Sequence, residues 1–405
     1  MQNVNMTSSA PCSGCGGCAA VCPKSAVRIQ RKETGFLEAV VDGQLCVDCG
    51  LCLRVCHRFT EPTGGISLYD AKLYALQSAD GGTVKTCSSG GIAHELAVQT
   101  LARGGKAVGA VYDLTDNTVC HAMVAEPEGI ALLDGSKYLQ SHTEAAFRSV
   151  LEDAAKVPCV VFGTPCQIAA LDAAAKLRGV RENLLLAEIF CHGVPPYLLW
   201  EETLKKVKNK LGTDLFDQVL FRYKKDDWHS YCLKITAGSK TYYGKRETEL
   251  FWQVFFENIL LGDACQVCRA RRTESFADLR LGDYWGSRFQ HRSDGVSAVF
   301  ACTPRGEEAV AQLLAEGRAV SLAASDAAEM LAAQNMAGYG QKQLHDEAMK
   351  ILAKQSLGDA VKYYRGRQTG KQKLKRILLQ ASALIPDPLR AKLRKANSSR
   401  SLRKT

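Results

Sequence analysis

Residues 12–23 read CSGCGGCAAVCP, and residues 46–57 repeat the same cysteine spacing as CVDCGLCLRVCH. Each stretch contains C-x2-C-x2-C-x3-C, followed by Pro23 in the first copy and by His57 in the second. Three thiolates at this spacing can bind three irons of one cubane cluster, while the fourth cysteine is directed to the other cluster. The doubled pattern therefore predicts two [4Fe–4S] clusters near the N-terminus.

These eight cysteines divide into two crossed ligand sets. The first set is Cys12, Cys15, Cys18 and Cys56, and the second is Cys46, Cys49, Cys52 and Cys22. Residues 8–60 resemble a bacterial-type two-cluster ferredoxin, in which the fourth cysteine of each copy crosses in this way. The alternatives are a disulfide framework and zinc knuckles. No apolar export signal occupies the first twenty residues, and zinc knuckles use separated cysteine pairs.

Length and composition indicate a globular protein of two or three domains. The chain has 405 residues, of which 46% are hydrophobic and 23% charged. It contains no stretch of about 20 uninterrupted apolar residues, so a membrane span is not expected. Seventeen cysteines without an export signal predict metal-bound thiolates in a reducing compartment, and hence a cytoplasmic location.

Beyond a linker at residues 61–65, apolar runs alternate with helical spacing. Strands are predicted at 72–79, 106–113, 118–126, 159–163 and 184–190, and helices at 92–103, 143–156 and 167–178. This alternation predicts an α/β core. Further along, the chain is expected to form a small antiparallel patch over 218–243, a helix over 247–260 and mostly helix over 307–357.

Four more cysteines stand at the ends of these predicted elements. Cys166 lies where a strand turns into a helix, Cys191 closes the next strand, and Cys265 and Cys268 form a C-x2-C pair. They can supply four ligands to a third cubane, although the pair alone also suits a zinc half-site or a redox dithiol. The other cysteines lack partner spacing and are expected to be core or surface thiols: Cys87, Cys120, Cys159, Cys232 and Cys302.

Several phrases resemble the beta subunit of the deazaflavin-coenzyme (F420) hydrogenase and dehydrogenase family. They are Ser88-Ser89-Gly90-Gly91-Ile92, Gly135-Ser136-Lys137-Tyr138, Gly163-Thr164-Pro165-Cys166-Gln167, the stretch around Cys191, the Cys265/Cys268 pair and residues 277–286. The resemblance covers about residues 68–340. It implies one [4Fe–4S] cluster on Cys166, Cys191, Cys265 and Cys268, with FAD beside it.

The same resemblance implies which residues surround the flavin. They are Ser89, Gly90, Gly91, Lys137, Thr164, Pro165, Gln167, Gly282, Asp283, Tyr284, Trp285 and Gly286. Backbone N–H groups at the start of a helix attract phosphate, although Ser88–Gly91 also suits an ordinary helix cap. Lys137 can offset the charge of a reduced flavin. His192, beside a predicted ligand, is the candidate catalytic residue, with a structural turn as the alternative.

The C-terminal segment concentrates the positive charge. Residues 361–405 contain fourteen Lys and Arg against one Asp, a net +13 within a total of +10, so the rest of the chain is slightly acidic. Apolar residues recur at helical spacing from Leu374 to Ile385. A basic amphipathic helix suits the anionic inner face of a membrane, and the alternatives are packing on the body, an acidic protein or nucleic acid.

Three domains are therefore expected: a 2[4Fe–4S] ferredoxin-like domain at 1–62, an α/β (α+β) flavoprotein core at 68–340, and a helical basic tail at 341–405. The predicted function is an oxidoreductase that passes electrons between the clusters and FAD, with hydride exchange to the deazaflavin coenzyme or a similar small molecule. Its expected partner is a ferredoxin or a subunit of a redox complex. The alternatives are a non-catalytic electron-transfer subunit, a reductase of polysaccharide assembly and a zinc-binding nucleic-acid module.

Overall fold

The computed structural model describes residues 2–385, except for 7, 9, 61, 62, 155, 226, 269, 272, 325 and 335–338. The chain is a mixed α/β structure. Its strands are β1 (Val27–Arg31), β2 (Leu37–Val41), β3 (Ile66–Ser67), β4 (Lys72–Ser78), β5 (Lys106–Asp113), β6 (Thr118–Val124), β7 (Ser141–His142), β8 (Cys159–Gly163), β9 (Leu184–Ile189), β10 (Gln218–Leu220), β11 (Cys232–Ala237), β12 (Lys240–Lys245), β13 (Glu274–Ser275), β14 (Leu279–Asp283), β15 (Ser297–Ala301) and β16 (Ala319–Leu322).

Helices precede, connect and follow these strands. They are α1 (Gly17–Val21), α2 (Leu51–Arg54), α3 (Gly81–Thr86), α4 (Ile92–Ala102), α5 (Ile130–Leu133), α6 (Glu144–Asp153), α7 (Pro165–Arg178), α8 (Tyr197–Leu211), α9 (Leu250–Glu257), α10 (Asp263–Gln266), α11 (Pro304–Ala315), α12 (Ala327–Ala333), α13 (Lys342–Lys354), α14 (Leu357–Gly366) and α15 (Gly370–Ser382). In the part of the chain that the structure describes, none of them combines the length and the apolar character that crossing a bilayer would require.

The N-terminal cysteine copies form a small module around the β1–β2 hairpin. The two strands pair antiparallel from Val27↔Val41 to Arg31↔Leu37. Each cysteine copy places a short helix, α1 or α2, after a left-handed glycine, Gly16 with φ 79° and Gly50 with φ 73°. The structure thus repeats the internal symmetry that the sequence shows.

A nine-stranded mixed sheet forms the centre of the chain, in the order β16-β4-β15-β14-β9-β8-β5-β6-β7. Helices α6 and α7 cover one face, where Val161 of β8 lies, and α4 and α11 cover the other, where Val160 lies. Successive residues of a strand point to opposite faces, so the apolar run of β8 is buried on both sides. The predicted α/β alternation from β4 to β9 is found with boundaries shifted by a few residues.

Four strands of this sheet lie outside the sequence prediction: β7, β14, β15 and β16. β16 interrupts the segment expected to be mostly helical, β14 lies within residues 277–286, which were read only as a family phrase, and β15 follows them. β14 contains Arg280, a residue that seldom occupies a buried strand. Arg280 pairs with Glu188, directly opposite on the parallel strand β9, and both side chains are buried. The ion pair therefore allows a charged residue within the sheet.

Helices α13 and α14 pack on the body of the chain. Ala348, Leu352, Val361 and Tyr364 belong to the same apolar core as Trp252 of α9. The part of the predicted tail up to residue 366 is therefore a packed element. Only α15 presents an exposed apolar face among the described helices of this tail.

Polar side chains from the segment before and into α6 fasten the N-terminal module to the central sheet. The Gln140 amide bonds both the N–H (2.8 Å) and the carbonyl (3.3 Å) of Leu37. Thr143 donates to the Cys15 carbonyl at 2.8 Å, and Glu144 accepts from the Ile29 N–H at 2.8 Å. These are buried or half-buried contacts, and losing one leaves an unpaired polar group. The module and the sheet are thus held in one arrangement.

Gly16 gives a direct test of this contact. An alanine Cβ there would lie 1.9 Å from Thr143 Oγ1, on a backbone with φ +79°. We expect Gly16→Ala to lower the midpoint of thermal unfolding by about 3 °C or more, since the left-handed backbone alone costs about 1 kcal/mol for alanine. Gly43→Ala is the control, because its Cβ meets nothing within 4 Å. Equal midpoints for the two variants would contradict the contact.

Candidate functional site

The first predicted cysteine set surrounds a small cavity inside the module. Cys12, Cys15, Cys18 and Cys56 line it together. Backbone N–H groups of Gly14 and Ala39 donate to the Cys12 sulfur at 3.4 and 3.5 Å. Such donors stabilise the negative charge on ligating sulfur and tune the potential of a cluster. The side chains therefore lie together as the crossed assignment predicts, and the assignment itself stays a prediction.

The second set lies on the other side of the module, nearer the surface. Cys22, Cys46, Cys49 and Cys52 line a second small cavity. The Ala26 N–H donates to the Cys22 sulfur at 3.3 Å, and Asn3 donates to the Cys46 sulfur at 3.5 Å. Cys49 is exposed, whereas Cys52 is buried. Of the two predicted clusters, this one is therefore closer to solvent.

The third set comes together at one edge of the central sheet. β8 and β9 are parallel neighbours, so the residues that follow them meet at the same edge. Cys166 stands in the first turn of α7 after β8, and Cys191 follows β9. Cys265 in α10 and Cys268 join them, and all four line one large cavity.

Burial raises the pKa of all four thiols of the third set. It raises the pKa of Cys191 to about 11 and the pKa of Cys166 well above its usual range, and neighbouring cysteines raise both further. A thiolate buried here without a cation would be unfavourable, and the irons of a cluster supply the compensating charge. Four half-buried cysteines that line one cavity therefore fit a metal cluster. Cys15 is among the residues that raise the pKa of Cys166, so the first and third sets are close neighbours.

The large cavity has a volume of about 540 Å³, within the range of cofactor sites. Most of the residues predicted to surround FAD line it. They are Ser89, Gly91, Lys137, Thr164, Pro165, Gln167, Gly282, Asp283 and Trp285. Gly90, Tyr284 and Gly286 are not on its wall. Gly90 packs behind it instead, where a Cβ would lie 2.5 Å from the Leu76 carbonyl oxygen.

The loop before α4 is held from several sides. Ser88 accepts from the Ser136 N–H at 2.8 Å, and Ser89 donates to the Val296 carbonyl at 2.8 Å. Gly91, with φ 87°, directly precedes the first residue of α4. A helix start on a cavity wall can bind an anionic group. The arrangement therefore fits a phosphate of the cofactor as well as it fits a helix cap.

The Lys137 side chain hydrogen-bonds to main-chain carbonyls a few residues before it in sequence. Its ammonium group donates to the carbonyls of Leu132 (2.9 Å) and Asp134 (2.8 Å) at the end of α5. Burial lowers the pKa of Lys137 to about 8. The lysine therefore caps a helix and also presents its side chain to the cavity.

Gly282, Asp283 and Trp285 form a further part of the cavity lining. Asp283 accepts from Arg222 at 3.0 Å and from the Trp228 indole at 2.7 Å. The Trp285 ring stacks on Trp228 with centroids 5.1 Å apart. Tyr284 is buried behind this wall. An ion pair and stacked aromatic rings thus fix the shape of this side of the cavity.

His192 lies beside Cys191 at the aromatic end of the cavity. Its Nε2 is 2.6 Å from the Asn258 amide oxygen, which can only accept, so Nε2 carries the proton. Phe255, Phe256 and Tyr339 surround the ring. Burial lowers the pKa of His192, and the ring is therefore neutral near pH 7. Its role as a catalytic residue stays a prediction.

One cysteine expected to lack a partner has one. Cys87 donates to the Asp134 carboxylate at 3.4 Å, and His94 lies 3.0 Å from both oxygens of the same carboxylate. Cys159, Cys232 and Cys302 are buried and Cys120 is half-buried, as expected for core or surface thiols. Cysteine spacing carried no signal for the Cys87 contact, because its partner Asp134 is 47 residues away in sequence.

Comparisons with known proteins agree with the two sequence patterns. Residues 11–59 match the family described as "4Fe-4S dicluster domain". Residues 158–326 match the C-terminal part of the family described as "Coenzyme F420 hydrogenase/dehydrogenase, beta subunit". A chain of the F420-reducing [NiFe] hydrogenase complex from Methanosarcina barkeri aligns at 18% identity with a TM-score of 0.46, covering 76% of this chain and 94% of that one. No curated protein matches the chain.

The chain is therefore an iron–sulfur protein with a redox role. Over residues 158–326 it is similar to the beta subunit family of coenzyme F420 hydrogenases and dehydrogenases, so the resemblance stated from the sequence phrases is confirmed.

The three cysteine sets predict the metal content. Anaerobically reconstituted protein should contain about twelve irons and twelve acid-labile sulfides, as three four-iron clusters require. Cys166→Ser should remove about a third of the iron, because it deletes a ligand of the third set only. Cys120→Ser is the control and should retain all of it. Iron and sulfide are measured by chemical analysis. If the wild type contains only about eight irons and Cys166→Ser contains the same number, the third cluster is excluded.

Proposed function

We propose that this chain is an iron–sulfur flavoprotein oxidoreductase, in which electrons pass between the module and a flavin through the third cysteine set. One observation carries the proposal: Cys166, Cys191, Cys265 and Cys268 share a cavity wall with nine residues predicted to surround FAD. The family match supports the redox class. The flavin and the hydride acceptor belong to the proposal.

The spatial order of the cysteine sets supports a path for electrons. The second set includes exposed Cys49, and the first set lies behind it in the same module. Cys18 of the first set is influenced electrostatically by Cys52 of the second, and Cys166 of the third by Cys15 of the first. Each set therefore neighbours the next. An external ferredoxin or a subunit of a redox complex would exchange electrons at the outer set.

The residues of the cavity wall fit the parts of FAD. A bound flavin supplies the exchange between one-electron carriers and a two-electron hydride acceptor. The loop before α4 offers backbone N–H groups for phosphate. Lys137, whose pKa burial lowers to about 8, is still mostly protonated at pH 7 and offers a positive charge to an anionic group in the cavity. Gln167 closes the turn before α7 by accepting from the Thr164 N–H at 2.9 Å.

His192 suits a proton-handling role in this cavity. With Nε2 fixed as a donor to Asn258, the other ring nitrogen, Nδ1, is the acceptor. A neutral imidazole beside the third cysteine set can take up a proton when negative charge enters the site and release it when that charge leaves. We infer that the acceptor of hydride is a small molecule such as the deazaflavin coenzyme. The second candidate function is an electron-transfer subunit without a substrate of its own.

Flavin reduction tests the proposal. Protein loaded with FAD and desalted should retain about one FAD per chain, and reduced ferredoxin should reduce that flavin. Cys191→Ser should abolish this reduction while FAD stays bound, because the path through the third set is broken. Lys137→Gln should weaken FAD retention and leave the iron content unchanged. Lys106→Gln is the matched control, since Lys106 pairs with Asp153 away from the cavity wall.

Stopped-flow absorbance follows the flavin, and a screen with the deazaflavin coenzyme as acceptor identifies hydride transfer. Reduction at the wild-type rate in Cys191→Ser would contradict the path. If the flavin is reduced but no small molecule in the screen accepts hydride from it, the second candidate function, an electron-transfer subunit, is favoured.

A further proposal concerns α15 and an anionic membrane surface. Leu374, Ile377 and Leu378 lie on one face of this helix with more than half of each side chain exposed. Four basic residues of the same helix accompany them: Lys371, Lys373, Lys375 and Arg376. An exposed apolar face bordered by cations complements the headgroup region of an anionic bilayer.

Truncation tests the role of α15. A chain ending at residue 369 keeps the packed helices α13 and α14, so its iron content should equal that of the full chain. We expect its binding to vesicles with phosphatidylglycerol to fall at least tenfold, since each basic residue near such a surface contributes about 1 kcal/mol. Neutral phosphatidylcholine vesicles and high salt serve as controls in a sedimentation assay. Equal vesicle binding by the full and the truncated chain would exclude α15 as the membrane-binding element. Equal binding to anionic and neutral vesicles would exclude an electrostatic attraction between the basic residues and the lipid.

A further inference from the structure

Three potential metal ligands converge at the edge of the large cavity, away from the predicted clusters. Cys87 follows α3, His94 lies in α4, and Asp134 follows α5. The Cys87 sulfur, a ring nitrogen of His94 and a carboxylate oxygen of Asp134 all lie within 4.8 Å of one another. All three residues line the cavity. The cluster is thus preassembled from separate helices.

The spacing of these atoms is close to that of a tetrahedral zinc site. Zinc bonds of about 2.3 Å to sulfur and about 2.0–2.1 Å to nitrogen and oxygen place tetrahedral ligands about 3.4–3.6 Å apart. Here the sulfur lies 3.4 Å from an Asp134 oxygen, and Nδ1 of His94 lies 3.0 Å from that oxygen. The separation between His94 and Asp134 would have to open by about 0.4 Å for the ion, and the sulfur and the ring nitrogen already lie within 4.8 Å of each other.

The burial of the three groups also suits a cation. The Cys87 side chain is buried, and His94 and Asp134 are 21% and 13% exposed. Burial and Asp134 raise the pKa of the Cys87 thiol, so this cysteine is not an activated nucleophile on its own. A thiolate and a carboxylate together neutralise a divalent ion. Zinc would therefore reverse the unfavourable charge of two anions side by side.

Two lysines lie near the cluster and are already engaged. Lys224 donates to the carbonyls of Val84, Ser89 and Asp294 at 2.6–2.7 Å. Lys137 donates to two carbonyls of its own turn. Burial lowers the pKa of each to about 8, so both are still mostly protonated at pH 7. Both ammonium groups donate to main-chain carbonyl oxygens, including that of Asp134, and not to its carboxylate.

We propose that Cys87, His94 and Asp134 form a binding site for a zinc-type divalent cation on the wall of the large cavity. Three protein ligands leave the fourth tetrahedral position open, as in catalytic rather than structural zinc sites. That position would accept a water or a carbonyl or carboxylate oxygen of a molecule in the cavity. The site is separate from the iron-binding sets and does not depend on the flavin proposal.

Zinc binding to cluster-loaded protein tests the site. The clusters must be complete first, because zinc also binds vacant cysteine sets. After addition of one equivalent of ZnCl₂ and anaerobic desalting, we expect about one zinc per chain by mass spectrometry. X-ray absorption at the zinc edge should show one sulfur at about 2.3 Å, with the remaining ligands nitrogen or oxygen at about 2.0–2.1 Å.

Variants assign the ligands. Cys87→Ser and His94→Gln should each weaken zinc binding at least tenfold, with iron content unchanged, and Asp134→Asn should weaken it in the same direction. Cys159→Ser, at another buried thiol, should bind zinc as the wild type does. Iron content reports whether a variant folds. Absence of zinc in the loaded wild type, a shell of three or four sulfurs, or full retention by Cys87→Ser would each overturn the proposal.

Discussion

The parallel pairing of β8 with β9 is the constraint on which the site depends. Because the two strands run side by side in register, their ends deliver Cys166 and Cys191 to one edge of the sheet. The loop with Cys265 and Cys268 closes over the same edge, and α7 begins there. The neighbouring strand β14 continues the parallel order, so the segment from Gly282 also reaches this edge. One hydrogen-bonding pattern thus brings together sulfurs and cavity wall from four distant parts of the chain.

The sequence predicted the parts of the fold that depend on local pattern. The alternation from β4 to β9 carries apolar runs of strand length between amphipathic helices, and these elements are present. β14 was missed because Arg280 interrupts its apolar character, and only the distant partner Glu188 makes that residue acceptable. β16 has two strongly exposed residues among four and lies beside alanine-rich helices, so its own residues give little strand signal. Edge pairing with β4 creates this strand.

In the predicted site, too, the features that depend on nearby residues in sequence were predicted, and contacts between residues far apart in sequence were not. Cysteine spacing is a local property, and the structure brings each predicted set of sulfurs together around its own cavity. Nine of the twelve predicted flavin residues lie on one wall, whereas Gly90, Tyr284 and Gly286 lie off it. Cys87 was read as a thiol without a partner, because Asp134 is 47 residues away in sequence. The packing of α5 against α4 brings Asp134 to this part of the chain.

The cysteine sets also differ in their distance from water. Cys49 is exposed, Cys15 and Cys18 are buried in the module, and Cys166 is half-buried where it lines the large cavity. A redox centre that is shielded by protein reacts slowly with dissolved oxygen, whereas an outer one is vulnerable. In the proposed function, the contacts of Gln140, Thr143 and Glu144 with the module would shield its buried sulfurs. The outer set would then be the end open for exchange, and the reducing power held at the inner set would be protected.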